Sequence, residues 1–311
     1  MYFSDKENFN KEHKLVETIS VNAWNGIAVI VNALIQNNNL AKDYPRHCPD
    51  GNGVCGVDEH SFYIGARSII PTIDFLPEYG NIDTLSSSYL ESNPFEDGFN
   101  SFQKSEKFKY EVLDFIEFVF KHICDVQNGD YHVFFHHYEI KFLATTLARD
   151  RFIDINEIFE RNHIAFKLCP NGEIQRILDE NLCDLIDSCA EPHEDTLRDM
   201  LQTATTKITS AKFEERKVAI ERLWDAFERI KTILNPDDKR HSANELLDRV
   251  SKCNVPLKKI LEDESKSLTN IGNNFQIRHY ECSTVPIKES RHLDYLFFRM
   301  LSFIQLLLTE L

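Results

Sequence analysis

The chain has 311 residues, enough for about two domains that each bury a core. Hydrophobic residues make up 42% and charged residues 27%, with only 10 Gly and 10 Pro, which excludes a disordered, collagenous or membrane-embedded chain. Its 35 Lys and Arg against 50 Asp and Glu leave a net charge of −15, which argues against a surface that binds nucleic acid all over.

From Glu12 to Gln36 apolar residues recur at helical spacing (Leu15, Ile19, Ala23, Ile27, Ile30, Ala33), predicting an opening helix that Asn37-Asn38-Asn39 breaks. Pro45 to Gly56 is rich in Pro, Gly, Asp and Asn and reads as a loop. Pro77 to Ser105, with Ser86-Ser87-Ser88, Asn93-Pro94 and Asp97-Gly98, reads as a long mobile connection. Phe108 to Cys124 is a helix, ended by Asn128-Gly129-Asp130, and Tyr131 to Leu143 is dense enough in aromatics to be a strand. Ile155 to Arg161 fits a short helix, and the segment from Ile164 to Ile177 a β-hairpin around Asn171-Gly172.

Beyond Cys189 and Pro192 the strand signals stop. Amphipathic helices follow at about 194–210, 213–234, 242–253, 257–280 and 292–311. The fold class is therefore α+β, with an acidic mixed α/β domain over 1–192 and an all-α domain over 193–311. The charge divides in the same way. Up to Met200 there are 17 basic and 34 acidic residues, whereas from Leu201 onward there are 18 basic and 16 acidic, so the last third can meet a polyanion.

Cys48, Cys55, Cys124, Cys169, Cys183, Cys189, Cys253 and Cys282 follow no tight framework, and MYFSDKENF has neither a basic n-region nor an apolar h-region. The expectation is a reduced cytoplasmic protein with no membrane association. The apolar tail from Leu293 to Leu308 carries Asp294 and Arg299 and reads as a buried helix.

Three groupings carry chemistry. His47, Cys48, Cys55 and His60 offer thiols and imidazoles in one loop, but their wide spacing and the missing second pair favour a turn-rich segment with incidental cysteines. On one continuous strand His132 and His136 share a face, with His137 and Glu139 on the other, which favours packed sheet histidines; no cofactor or metal is expected.

The sharper constellation lies in SLTNIGNNFQIRHYE. A helix running to Tyr280 puts Asn274 and Arg278 one turn apart on one face, with His279 adjoining. Arginine can fork onto a phosphate and histidine exchanges protons near neutral pH, a minimal kit for cleaving RNA by its own 2′-hydroxyl without metal. A helix terminus in which Arg278 and His279 answer the macrodipole is the competing reading. On the preceding helix Trp224, Phe227 and Ile230 form an apolar stripe flanked by Asp225, Glu228, Arg229 and Lys231. Those charges serve either as structural salt bridges or to orient the Arg278–His279 pair.

The segments LWDAFERIKT, DKRHSANELLDR, SLTNIGNNFQIRHYE and DYLFFRMLSFIQLLL closely resemble the C-terminal domain of AbiJ-like abortive-infection proteins, a member of the helical HEPN superfamily of bacterial defence ribonucleases and RNA-binding modules. The Cys48-Pro49-Asp50-Gly51 loop and the INEIFERNHIAFKL and GEIQRI segments look like the domain that accompanies it. The resemblance implies a HEPN-like bundle that homodimerises to build one composite endoribonuclease site acting on RNA. It implies His279 as the catalytic histidine, Arg278 as the phosphate-binding arginine, and Asn274 and Glu228 as polar supports, with Lys231, Asn273 and Glu281 completing the supporting set. The superfamily's usual Arg followed four to six residues later by His has no copy here, and Asn273 and Asn274 stand where that motif places its cation. A non-catalytic RNA- or protein-binding dimerisation module is the alternative.

Overall fold

In the computed structural model, which describes residues 15–51, 53–90, 98–178, 180–188, 192–277 and 284–311, the first helix starts at Ser20. Its side chain accepts from the Ala23 N–H (3.1 Å) and caps α1 (Val21–Gln36). The predicted helix began earlier, but Val16 exchanges backbone hydrogen bonds with the 163–165 segment, and this pairing holds residues before the cap extended. Trp24 of α1 is fully buried, with Phe75, Phe108 and Phe115 around its indole at 4.7–6.4 Å between ring centroids.

The segment read as a loop forms a hairpin, β1 (Pro45–His47) with β2 (Val54–Val57), pairing Pro45 with Val57 and His47 with Val54. Asp58 then caps α2 (Glu59–Ile69) by accepting from the Ser61 N–H. The long connection contains one 3₁₀ turn at Ser87–Leu90, and its last part is already helical in α3 (Gly98–His122); residues 91–97 lie outside the described ones.

The largest departure follows α3. The expected single strand is a hairpin of β3 (Asp125–His132) and β4 (His137–Leu143), with 133–136 as its turn and His136 at φ 53°. Asn128-Gly129-Asp130, expected to end the helix, lies inside β3 at a bulge. Tyr131 opposes Tyr138 with ring centroids 4.8 Å apart, and the next pair is His132 with His137.

Asp125, at the start of β3, is buried and accepts from the Leu147 and Ala148 N–H groups (2.8 and 2.7 Å) and from the Thr145 hydroxyl. It thereby satisfies the orphan amides at the start of α4 (Leu147–Phe152). Burial raises the Asp125 pKa, and these hydrogen bonds outweigh it, so the carboxyl sits below its ordinary range. α5 (Ile155–Arg161) leads into the expected hairpin of β5 (Phe166–Leu168) and β6 (Ile174–Arg176). Its turn is closed by the Gly172 N–H on the Cys169 carbonyl, which puts Pro170 and Asn171, not Asn171 and Gly172, at the corners.

The chain divides into two units, 1–175 and 176–311. Within the second, α6 (Glu180–Asp187) is followed by α7 (Asp195–Ile208), α8 (Phe213–Ile230), α9 (Lys239–Val250), α10 (Val255–Asn274) and α11 (Ser290–Leu308). α8 packs against α7 and α11, and α9 against α10 and α11, around Leu197, Leu223, Trp224, Phe227, Phe297 and Leu301. Arg176, its side chain 3% exposed, makes a bidentate pair with Asp294 of α11 (2.8 and 2.9 Å) and donates to the Ile208 carbonyl. None of the described helices is long and apolar enough to cross a membrane.

α10 does not reach Tyr280. Gly272-Asn273-Asn274 is a run of weak helix formers. Phe275 then turns extended (φ −100°, ψ 158°), Gln276 N–H donates to the Val285 carbonyl, Val285 N–H donates to the Asn274 carbonyl, and Ile277 is 1% exposed in the core. Extended pairing plus burial of Ile277 replaces another helical turn.

α8 and α10 meet closely at Gly272. The Trp224 indole N–H donates to the Leu268 carbonyl (3.0 Å), and a Cβ on Gly272 would fall on the indole ring. Gly→Ala inside a helix ordinarily gains about 1 kcal/mol of propensity, but overpacking a fixed core costs about 1–3 kcal/mol. Gly272→Ala therefore lowers the melting temperature; a rise would show that the two helices do not approach this closely.

Candidate functional site

Glu228 and Lys231 sit at the C-terminal end of α8, where side chains three apart share a face. The Lys231 ammonium is 2.5 Å from Glu228, 3.2 Å from the Thr269 hydroxyl of α10 and 4.3 Å from the centre of the Phe227 ring. Glu228 also accepts from Lys239 of α9. Glu228 and Lys231 are mostly buried, so their charges are stabilised by their neighbours rather than by water, while Lys239 is half exposed. Burial pushes the Glu228 carboxyl up, while hydrogen bonds from Lys231 and Lys239 and their charges more than compensate, so its pKa lies below the ordinary 4.5. These two residues act as the bolt that fastens α8, α9 and α10.

Asn274 is exposed at the end of α10 and lines a concave site of about 390 Å³ with Asp263, Lys266, Ser267, Asn270, Ile271 and Phe275. Positions 263, 267, 270 and 274 follow helical spacing, so one face of α10 presents two amides, a hydroxyl, a carboxylate and the neighbouring Lys266. Asn273 is exposed beside it. Thr269, which receives Lys231, is about 140° around the helix from Asn274. Glu228 and Lys231 are thus joined to each other and not to the Asn274 groove. Arg278, His279 and Glu281 lie outside the described residues.

The cysteine and histidine readings meet differently from either expectation. His47 sits in β1, the His60 Nδ1 donates to the Glu78 carbonyl (3.0 Å), and the His136 ring faces the Tyr131 hydroxyl. Cys48, in the turn between β1 and β2, instead meets the β3–β4 hairpin. Its Sγ is 3.3 Å from His132 Nδ1 and donates to Asp50 (2.7 Å), while His132 Nε2 is 3.2 Å from the other Asp50 oxygen. His137 stands across the hairpin, with its ring centroid 5.4 Å from that of His132. Glu139 shares the His137 face, as alternation along one strand requires, and lines a cavity of about 530 Å³ with Asp130, Tyr131, His132, His137 and Gly53. Gly53 has φ +90°, and a Cβ there would press on the Glu139 carboxylate. His132 and His137 become neighbours only because the chain reverses between them, a signal that a single-strand reading hides; Asp50 was not singled out at all.

The Glu228 network is testable by pH. A folded-state pKa below the unfolded value means its stabilisation is complete above the ordinary carboxylate pKa and is lost as pH falls through the folded one. The melting-temperature gap between wild type and Glu228→Gln is accordingly largest above about pH 5 and narrows toward about pH 3. A gap that stays constant over that range would remove the electrostatic role.

The family described as AbiJ N-terminal domain 4 matches residues 1–191. No curated protein and no solved structure matches the chain. With well over half of its length matched, the chain belongs to the AbiJ N-terminal domain 4 family, a domain of AbiJ-like abortive-infection proteins.

Proposed function

We propose that the protein acts in antiphage abortive infection as a metal-independent endoribonuclease, its helical unit forming a HEPN-like site completed in a homodimer. The observation that supports this reading is the polar groove at the end of α10, whose last helical residue, Asn274, stands four positions before Arg278. In this reading His279 takes the proton of the RNA 2′-hydroxyl and returns one to the leaving 5′-oxygen. Arg278 carries the charge that develops on the phosphorus oxygens, and Asn274 donates an amide N–H to the same group.

The second reading, a non-catalytic RNA- or protein-binding module, draws on Asn273 and Asn274 standing in place of a cation. An amide donates a hydrogen bond without charge, and charge-assisted bonds are about twice as strong.

RNA cleavage by the full chain in the presence of EDTA, with 2′,3′-cyclic phosphate ends, is the expected result. His279→Ala lowers the rate about 10²–10⁴-fold, and Arg278→Ala also lowers it, with melting temperatures unchanged. Full activity in both variants would remove the site assignment, whereas RNA binding without cleavage by the wild type would establish the second reading.

A further inference from the structure

We propose that Cys48, His132 and His137 form a zinc site in the 1–175 unit, with Asp50 positioning His132. Among the described residues these three offer one thiol and two imidazoles whose ligand atoms all lie within 4.8 Å of one another. Zinc bound at about 2.3 Å to sulfur and 2.0–2.1 Å to nitrogen sets tetrahedral ligand separations of about 3.3–3.6 Å. The Cys48 Sγ and His132 Nδ1 are already 3.3 Å apart. His137 needs to close by at most about 1.5 Å, a change within reach of one side-chain torsion at a hairpin end.

The orientation of His132 strengthens the case. Its Nδ1 faces the thiol and its Nε2 faces Asp50, so a metal on Nδ1 leaves Nε2–H to donate to a carboxylate. That is the carboxylate–histidine–metal arrangement that fixes a ligand's tautomer and raises its basicity. The donor set also selects the ion: one thiolate with two imidazoles suits zinc and does not suit magnesium or calcium, which take oxygen ligands. Ionising Cys48 within 2.7 Å of a carboxylate puts two anions side by side, and a divalent cation is what makes that arrangement favourable.

Three protein ligands leave a fourth position. His132 and His137 line the cavity that Asp130 and Glu139 also line, so this position opens toward two carboxylates and space for water or a small donor ligand. Binding transfers no electrons: the thiol proton is released to solvent as the Cys48–metal bond forms.

The test uses untagged full-length protein and Co²⁺ as the spectroscopic probe, with Zn²⁺ in competition. One Co²⁺ per chain is expected, with a thiolate-to-cobalt charge-transfer band and tetrahedral d–d bands, both bleached by Zn²⁺. The charge-transfer band disappears in Cys48→Ser, affinity collapses in the His132→Ala/His137→Ala double variant, and Asp50→Asn weakens binding about 10–100-fold. Metal-free melting temperatures keep folding separate from ligation. Wild type is stabilised by Zn²⁺, while the double variant, whose histidines are only partly buried, melts like metal-free wild type and does not respond. A wild type that takes up no stoichiometric Co²⁺, or a band retained in Cys48→Ser, would overturn the site. Because this readout contains no RNA, it stands or falls independently of the nuclease reading.

Discussion

A two-stranded hairpin is marginal in water by itself, and every sheet among the described residues has two strands. Each must lean on something else, and that requirement organises the first unit. β2 packs against β4, so two hairpins that are far apart in sequence support one another. The start of β3 is tied to α4 through Asp125, whose carboxylate takes the helix's first amides. The chemistry follows from the same need: the β1–β2 turn carries Cys48, the end of the β3–β4 ladder carries His132 and His137, and their mutual support brings a thiol and two imidazoles to one place.

Much of the helical unit was legible because its signal is long and periodic. Trp224, Phe227 and Ile230 were expected as an apolar stripe and are buried, and the tail from Leu293 is the buried face of α11. The short strands were harder. Pro45–His47 and Val54–Val57 are too brief to show alternation, and their composition is that of a turn. The β3–β4 hairpin was misread because residues 133–136, rich in aromatics and histidine, carry none of the Asn-Gly or Asp-Gly chemistry that announces a turn, while the real Asn-Gly-Asp sits inside β3 as a bulge. The end of α10 was misplaced for another reason. Ile277 and Val285 win it for extended pairing and burial, contacts that local periodicity does not contain.

The candidate sites divide along the same line. Sequence places Glu228 and Lys231 only among the charges that flank the apolar stripe and leaves open whether such charges fasten helices or serve a reaction; that they pair with each other, and with Thr269 and Lys239 from two other helices, comes from the fold. Asp50 gave no signal because a lone aspartate in a turn is ordinary. Its meaning arises only from lying against both Cys48 and His132.

Charge sets the terms for any dealings with RNA. The near-neutral balance of the last third suggests spare cations, but several are committed: Arg299 to Glu264 and Ser267, Arg229 to Glu194, and Lys231 to Glu228. Those in partly buried, bidentate geometry cannot be redirected to a phosphate without leaving a carboxylate stranded. Lys266, exposed at the groove and 3.8 Å from Asp263, is a pair that water screens and that a phosphate can displace at little cost. A phosphate entering beside Asn270 and Asn274 would thus meet amide donors and one recruitable ammonium. With so little fixed positive charge there, the RNA binding we propose would draw its specificity from hydrogen-bond geometry, and the second copy of the proposed homodimer would double the donors.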